Sequence, residues 1–198
     1  EEIRIDGSDE VSPFFATFFE SQSEVSCYLL GYVFARGWIT QAKNNLTLRL
    51  QHNLNTINLY RIKEILHVQN GVTPLGSLHI QSNSLCNSLI SLGMKIASSN
   101  KPHITKFPDM APTMVHHFVR GYFDGKGLLA IRRPTNRDEI DRNFELPFAY
   151  ARGQCYFLSK TLMEKTHTAI VNTGGPAGAM FRRFRDNIPD FILEYKSN

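Results

Sequence analysis

What the sequence has little of narrows it first. Cysteine is scarce and scattered: Cys27, Cys86 and Cys155 are odd in number, far apart and without a C-x-x-C pair. That argues against a disulfide framework and a thiolate zinc site, and leaves buried free thiols in a reducing compartment as the expectation. The apolar runs are short, none near the roughly 18 residues that a membrane span needs. No signal-peptide pattern opens the chain, whose first residue is Glu1 rather than Met. Import into an organelle with loss of a leader accounts for that, and so does simple trimming. The glycine-bearing "NTGGPAGA" (172–179) lacks the lysine and hydroxyl of a phosphate loop and reads as a connection. No Ser-His-Asp arrangement can be argued from spacing, and no helix-turn-helix is evident. The adjacent His116 and His117 are expected on different helix faces, which argues against a shared metal.

What is present is an ordinary globular balance: 198 residues, 42% hydrophobic and 20% charged. That suffices for one sizeable core, or for two small halves sharing one. A net charge of +4 and a pI near 9.0 permit a nucleic-acid partner without demanding one.

The periodicity divides the chain into two similar halves. "EVSCYLLGYVFARG" (24–37) is apolar on most faces, hence a buried helix, with Gly37 where a C-terminal cap belongs. "NLTLRLQ" (45–51) alternates as a half-buried strand does. "LNTINLYRIKEILHVQNG" (54–71) reads as an amphipathic helix closed by Asn70-Gly71, "GSLHIQS" (76–82) as a strand, and "NSLCNSLISLG" (83–93) as a short helix ending at Gly93. The second half repeats the plan. "PTMVHHFVRGYFDG" (112–125) is an apolar helix, "GLLAIRR" (127–133) a strand and "PTNRDEIDRN" (134–143) a polar loop. "FELPFAYARGQCYFL" (144–158) supplies another strand or two, "SKTLMEKTHTAI" (159–170) a helix, and the tail from Gly174 a last strand or helix.

Gly31 and Gly121 occupy equivalent places, 90 residues apart. A mid-helix glycine costs about 1 kcal/mol relative to alanine, a cost tolerated where another backbone must come close. The expectation is that helices 25–36 and 114–125 pack against each other about a pseudo-twofold axis, each carrying its own antiparallel sheet. Two unrelated core helices are the plainer alternative.

"LLGYVFARG" (29–37) and "VRGYFDGKG" (119–127) resemble the paired LAGLIDADG motifs of single-chain homing endonucleases and their maturase relatives. The linking stretch "LHIQSNSLCNSLISLGMKIASSNKPHITKFP" (78–108) is similar to the family's strand, short helix, lysine-bearing loop and "FP" before the second motif. The resemblance covers roughly residues 25–170. It implies an α/β (α+β) fold of two tandem αββαββα halves whose antiparallel sheets form a DNA-binding saddle. The expected divisions are an N-terminal extension at 1–24, a first half at 25–108 and a second at 109–198.

In that family the eighth position of each motif is an acid, and the two carboxylates hold a divalent metal over the scissile phosphates. Hard cations such as Mg²⁺ want oxygen ligands. Here those positions are Arg36 and Lys126. Both are cations at neutral pH and repel a metal at contact distance. Asp124, at the sixth position of the second motif, should face away from the site, and Phe34 stands at the matching place in the first. The expectation is therefore a protein that binds nucleic acid without cleaving it. No catalytic residue and no cofactor are assigned; Mg²⁺ enters only in the alternative of a working endonuclease. Arg36 and Lys126 would stand beside phosphates as permanent cations at the negative ends of two helix dipoles, or be merely solvated.

The nucleic-acid-binding candidates are these. Lys101 resembles the family's loop lysine. Arg49, His79 and Gln81 lie on polar strand faces, and Lys43, Arg132 and Arg133 are placed close to the motif ends. Arg182, Arg183 and Arg185 form a basic cluster, and Lys126 completes the set. The expected partner is nucleic acid, RNA ahead of duplex DNA, with ribonucleoprotein proteins alongside and no membrane. The chain is expected to be a monomer with internal pseudo-twofold symmetry, inside a cell and in a mitochondrion or other organelle. A non-cleaving DNA-binding protein is the other alternative.

Overall fold

The computed structural model describes residues 17–51, 57–97, 104, 106–132, 150–157, 160–172, 179–185 and 188–196, with the strands beyond Gly127 described by their backbone. Helix α1 (Glu24–Arg36) starts where Ser23 accepts a hydrogen bond from the Ser26 amide at 3.1 Å, and Glu24 sits favourably in its first turn. From Ser26 to Ala35 every residue except Tyr28 is buried, as a helix apolar on all sides requires.

The chain then passes without a loop into strand β1 (Gly37–Ala42), turns at Lys43 and Asn44, and returns as β2 (Asn45–Gln51). Gly37 caps the helix, but in an extended conformation (φ −99°, ψ 150°) rather than the left-handed one usual for a glycine cap. What needs glycine there is space, since a Cβ would sit 2.7 Å from the Val33 carbonyl oxygen. β1 lacks the alternation that betrays a strand because Gly37, Trp38 and Ile39 are all buried, on both faces.

Helix α2 (Ile57–Ile65) is shorter than its amphipathic pattern predicts. His67 adopts φ 49°, the Val68 amide reaches back to the Lys63 carbonyl at 3.0 Å, and Val68 is buried. These bonds end the helix before Asn70-Gly71. Residues beyond it instead run beside strand β3 (Ser77–Gln81), with Asn70 Nδ2 donating to the His79 carbonyl at 2.9 Å and the Thr73 amide to Ser77 at 2.8 Å. Helix α3 (Asn83–Ser91) is capped by Ser82 and followed by Gly93 at φ 122°, where the sequence predicts its end.

The second half supplies a 3₁₀ turn (Pro112–Met114), helix α4 (Val115–Lys126), β4 (Gly127–Arg132), β5 (Tyr150–Phe157), helix α5 (Lys160–Asn172), β6 (Ala179–Arg185) and β7 (Ile188–Lys196). The tail thus forms two antiparallel strands where one more element is expected. The polar loop 134–143 lies outside the described residues.

Two antiparallel sheets result, in the orders β1-β2-β3 and β4-β5-β7-β6. Their motif-proximal parts correspond, since β1 and β4 each leave the end of a motif helix and pair next with the following strand. In the first sheet the rows Gly37–Leu50–Leu78 and Ile39–Leu48–Ile80 face the core, and all six residues are buried. That row structure gives the sheet one apolar and one polar face. Phe18 and Phe19, ahead of α1, also join the core.

Candidate nucleic-acid interface

The site is built on the α1–α4 pair, which forms the densest packing between any two helices among the described residues. Two glycines allow it. A Cβ on Gly31 would run into the backbone at Phe118 and Tyr122, and one on Gly121 into the backbone at Tyr28 and Tyr32. Gly125 lies against Ala35 in the same seam. The expected close pairing of these helices through Gly31 and Gly121 is present, with Phe34 packed edge-on to Phe118 beside it at 5.5 Å between ring centroids.

Both helices end alike. The amide of Gly37 bonds the Val33 carbonyl and that of Gly127 the Phe123 carbonyl, each glycine being extended and opening a strand. Arg36 and Lys126 are therefore the last residues of their helices, where carbonyl groups point outward and cations are favoured. Arg36 is half-buried, and its Nε donates to the Gly125 carbonyl oxygen across the seam. One helix thus caps the other with a guanidinium.

That contact bears on a divalent ion. A carbonyl oxygen at a helix end is the kind of ligand a hard cation takes, and here it already accepts from a guanidinium, whose charge repels a cation beside it. Among the described residues no group of three His, Cys, Asp or Glu could hold a metal. Asp124 is exposed and accepts the Tyr28 hydroxyl at 2.8 Å, two turns back along α1 from Arg36. Phe34 is fully buried. The donor set at the helix ends does not fit a divalent cation.

Beside Arg36 the polar face of the first sheet begins. Register places Trp38, Arg49 and His79 side by side across β1, β2 and β3, and Thr40, Thr47 and Gln81 in the next row of that face. The expectation that Arg49, His79 and Gln81 share a polar face holds. Trp38, the single tryptophan, is not among the sequence-based candidates; it is only 6% exposed. Its Nε1 and the Nε of Arg49 are buried donors without an acceptor, a costly condition unless a partner supplies one. Burial, and then the Arg49 charge, lowers the His79 pKa from 6.5. Once β1 is recognised as a strand, parity from Arg49 places Trp38 in this row.

Other candidates fall elsewhere. Lys43 is not close to the motif end: it sits at the β1–β2 hairpin tip with φ 53°, because β1 carries the chain six residues away from Gly37. Position 132 likewise lies at the far end of β4, opposite Tyr150. Positions 182, 183 and 185 lie on β6, the edge strand of the second sheet, paired with β7. Lys101 and Arg133 lie outside the described residues. His116 and His117 do not diverge as expected. Their rings lie against each other, 3.9 Å between centroids and tilted by 40°, and His117 Nε2 is 3.9 Å from Glu24.

Solved structures share this arrangement of elements. I-SmaMI, bound to an uncleaved DNA target in the presence of calcium ions, superposes with a TM-score of 0.55 at 12% identity, over 86% of this chain and 79% of its own. I-GzeII in complex with its DNA target gives 0.54 at 11% identity, over 86% and 77%. I-AabMI bound to uncleaved DNA gives 0.52 at 13%, over 86% and 77%. The fold is that of the LAGLIDADG homing endonucleases. Sequence comparison alone finds neither a matching family model nor a matching curated protein. The helix seam with its two glycines and a strand leaving each helix end are present in this chain, and the last residues of the two helices are Arg36 and Lys126.

Proposed function

We propose that this chain binds nucleic acid on the surface formed by the ends of α1 and α4 and the polar faces of the two sheets, and does not cleave it by metal-dependent hydrolysis. One observation carries the reading: Arg36, where the resemblance implies a metal-holding acid, spends its Nε on the Gly125 carbonyl. A permanent positive charge stands there instead of a hydrated ion. It offers phosphates the attraction that a metal would, without a Lewis acid to activate water. The adjoining row supports the binding half of the reading. Arg49 and His79 stand side by side on the polar face, with Thr47 and Gln81 in the next row; a cation flanked by such donors suits phosphate or base oxygens.

Structures of the same fold are bound to DNA, which supports a saddle-shaped surface here. For this chain we favour RNA, in an organellar ribonucleoprotein. The support is the outer edge of the second sheet, where β6 carries Arg182, Arg183 and Arg185 while β3, at the outer edge of the first, carries no lysine or arginine; that suits one-sided engagement better than a symmetric duplex. Incubation with Mg²⁺ or Mn²⁺ and a library of duplex targets should give no strand cleavage. Metal-dependent nicking that disappears in Arg36→Ala or Lys126→Ala would overturn the reading.

A further inference from the structure

Along the N-terminal halves of α1 and α4, away from Arg36, a cavity of about 330 Å³ opens between these helices and α2. That is within the range of small-ligand sites, on the order of 300–1,000 Å³. Leu29 and Ile62 make its floor, and the Tyr32 hydroxyl is hydrogen-bonded to Asn58 at its side. Arg61 and Arg120 line it from α2 and α4, both exposed. Among the described residues neither arginine has a carboxylate within ion-pair distance. The Arg120 guanidinium lies over the Tyr28 ring, 5.6 Å from its centroid, and Asp124 fixes that ring by accepting its hydroxyl at 2.8 Å. Val25 and, next to Asn58 on α2, Ile57 leave apolar side chains 48% and 63% exposed.

We propose that this cavity takes one unstacked nucleotide of a single-stranded nucleic acid, its base against Tyr28 and the apolar floor and its phosphate on Arg61 and Arg120. The chemistry matches part by part. A splayed base is flat and apolar on its faces, and proteins hold such bases on tyrosine rings and arginine planes. Its edge needs hydrogen-bond partners, which Asn58 can supply. Its phosphate needs cations, and Arg61 and Arg120 both line the cavity, where the Glu24 carboxylate, also in the lining, lies toward His117 at 3.9 Å. Both act on the Tyr28 hydroxyl as nearby positive charges, while burial and Asp124 outweigh them and keep it protonated, with its pKa pushed up to about 12. A base stacked in a duplex cannot enter, so the site is distinct in kind from the sheet surface proposed above and does not rest on it.

The test uses fluorescence anisotropy of the full chain with labelled oligouridylate, oligoadenylate, oligothymidylate and a duplex DNA. The single strands should bind at low salt, and Arg61→Ala/Arg120→Ala should weaken them about tenfold or more while duplex affinity stays within about twofold. Val25→Glu, an exposed change in a first helical turn, should cause the same selective loss without threatening the fold. A preference for the ribo-oligomers identifies RNA as the source, and equal affinity admits either strand; both support the site. Absence of single-strand binding, or binding unchanged in both variants, overturns the proposal, as does polyglutamate competing as well as oligouridylate. A native chain that binds the single strands, loses them in both variants and never binds the duplex would support the cavity and sink the sheet-surface reading alone.

Discussion

Gly31 and Gly121 each occupy the place where the other helix's backbone comes nearest. A Cβ on Gly31 would strike the carbonyl oxygen of Phe118, and a Cβ on Gly121 that of Tyr28. Phe118 precedes Gly121 by the same three residues that separate Tyr28 from Gly31, so one collision is written twice. Alanine would gain about 1 kcal/mol in helix propensity at either position, yet forcing the seam apart costs typically 1–3 kcal/mol and occasionally more. Gly31→Ala and Gly121→Ala should each lower stability, by up to about 2 kcal/mol net, in urea denaturation. The double variant should lose less than the sum, because one added methyl already opens space for the other. A stabilised single variant would show that the helices are not held this close.

The seam ends in a second test. Arg36→Met keeps the stem and removes the N–H bonded to the Gly125 carbonyl. It should destabilise by about 1 kcal/mol for that hydrogen bond. Lys126→Glu addresses binding instead. Affinity should fall for all nucleic-acid sequences alike, and the slope of log affinity against log salt should flatten by about one unit for each phosphate no longer neutralised. Titrations at several salt concentrations read both. An unchanged slope would mean that Lys126 touches no phosphate.

The features legible in the sequence are those with a repeated local cause. Two glycines in apolar helices call for a close backbone, and the alternation in residues 45–51 and 77–81 is that of sheets with one wet face; both readings survive in the structure. The features that escape it depend on tertiary cover. β1 hides because Trp38 and Ile39 are buried on opposite faces. The end of α2 escapes because the decisive residue is His67 in a left-handed turn, anchored by buried Val68, whereas Asn70-Gly71 carries the stronger local signal and merely passes along β3. The Arg36–Gly125 bond is invisible for the same reason: it joins residues 89 apart.

His79 makes the next prediction one of pH. Its pKa is lowered in the folded protein by burial and then by Arg49, from an ordinary value of 6.5. The unfolded chain therefore takes up the proton first. Stability should fall as pH drops below about 6.5, and the decline should stop once the folded histidine titrates as well. Binding should run the other way. A phosphate beside Arg49 and His79 would raise the histidine pKa, so affinity should rise as pH falls from about 7 toward 6. His79→Gln should flatten both profiles. A pH-independent affinity in the native chain would remove His79 from the contact surface.

Whether the partner is RNA or duplex DNA can be decided by where crosslinks fall. The polar faces of antiparallel sheets can lie in the wide major groove of B-form DNA but not in the deep, narrow one of an A-form helix. A protein reading a duplex symmetrically should crosslink through residues 45–51 on β2 and 127–132 on β4, one strand from each half. The outer edges of the two sheets differ among the described residues, however. The first is finished at its outer edge by the Asn70 and Thr73 hydrogen bonds, whereas the second carries β6, which bears Arg182, Arg183 and Arg185. If the cation-bearing edge strand is the gripping surface, photocrosslinks to copurifying nucleic acid should concentrate in the second half, in peptides spanning 127–132 and 179–185, and should be sensitive to ribonuclease. Charge reversal at Arg183 and Arg185 should then remove most of them while leaving duplex affinity at the first sheet little changed. Equal crosslinking of β2 and β4 to deoxyribonuclease-sensitive material would replace the RNA reading with symmetric binding of duplex DNA.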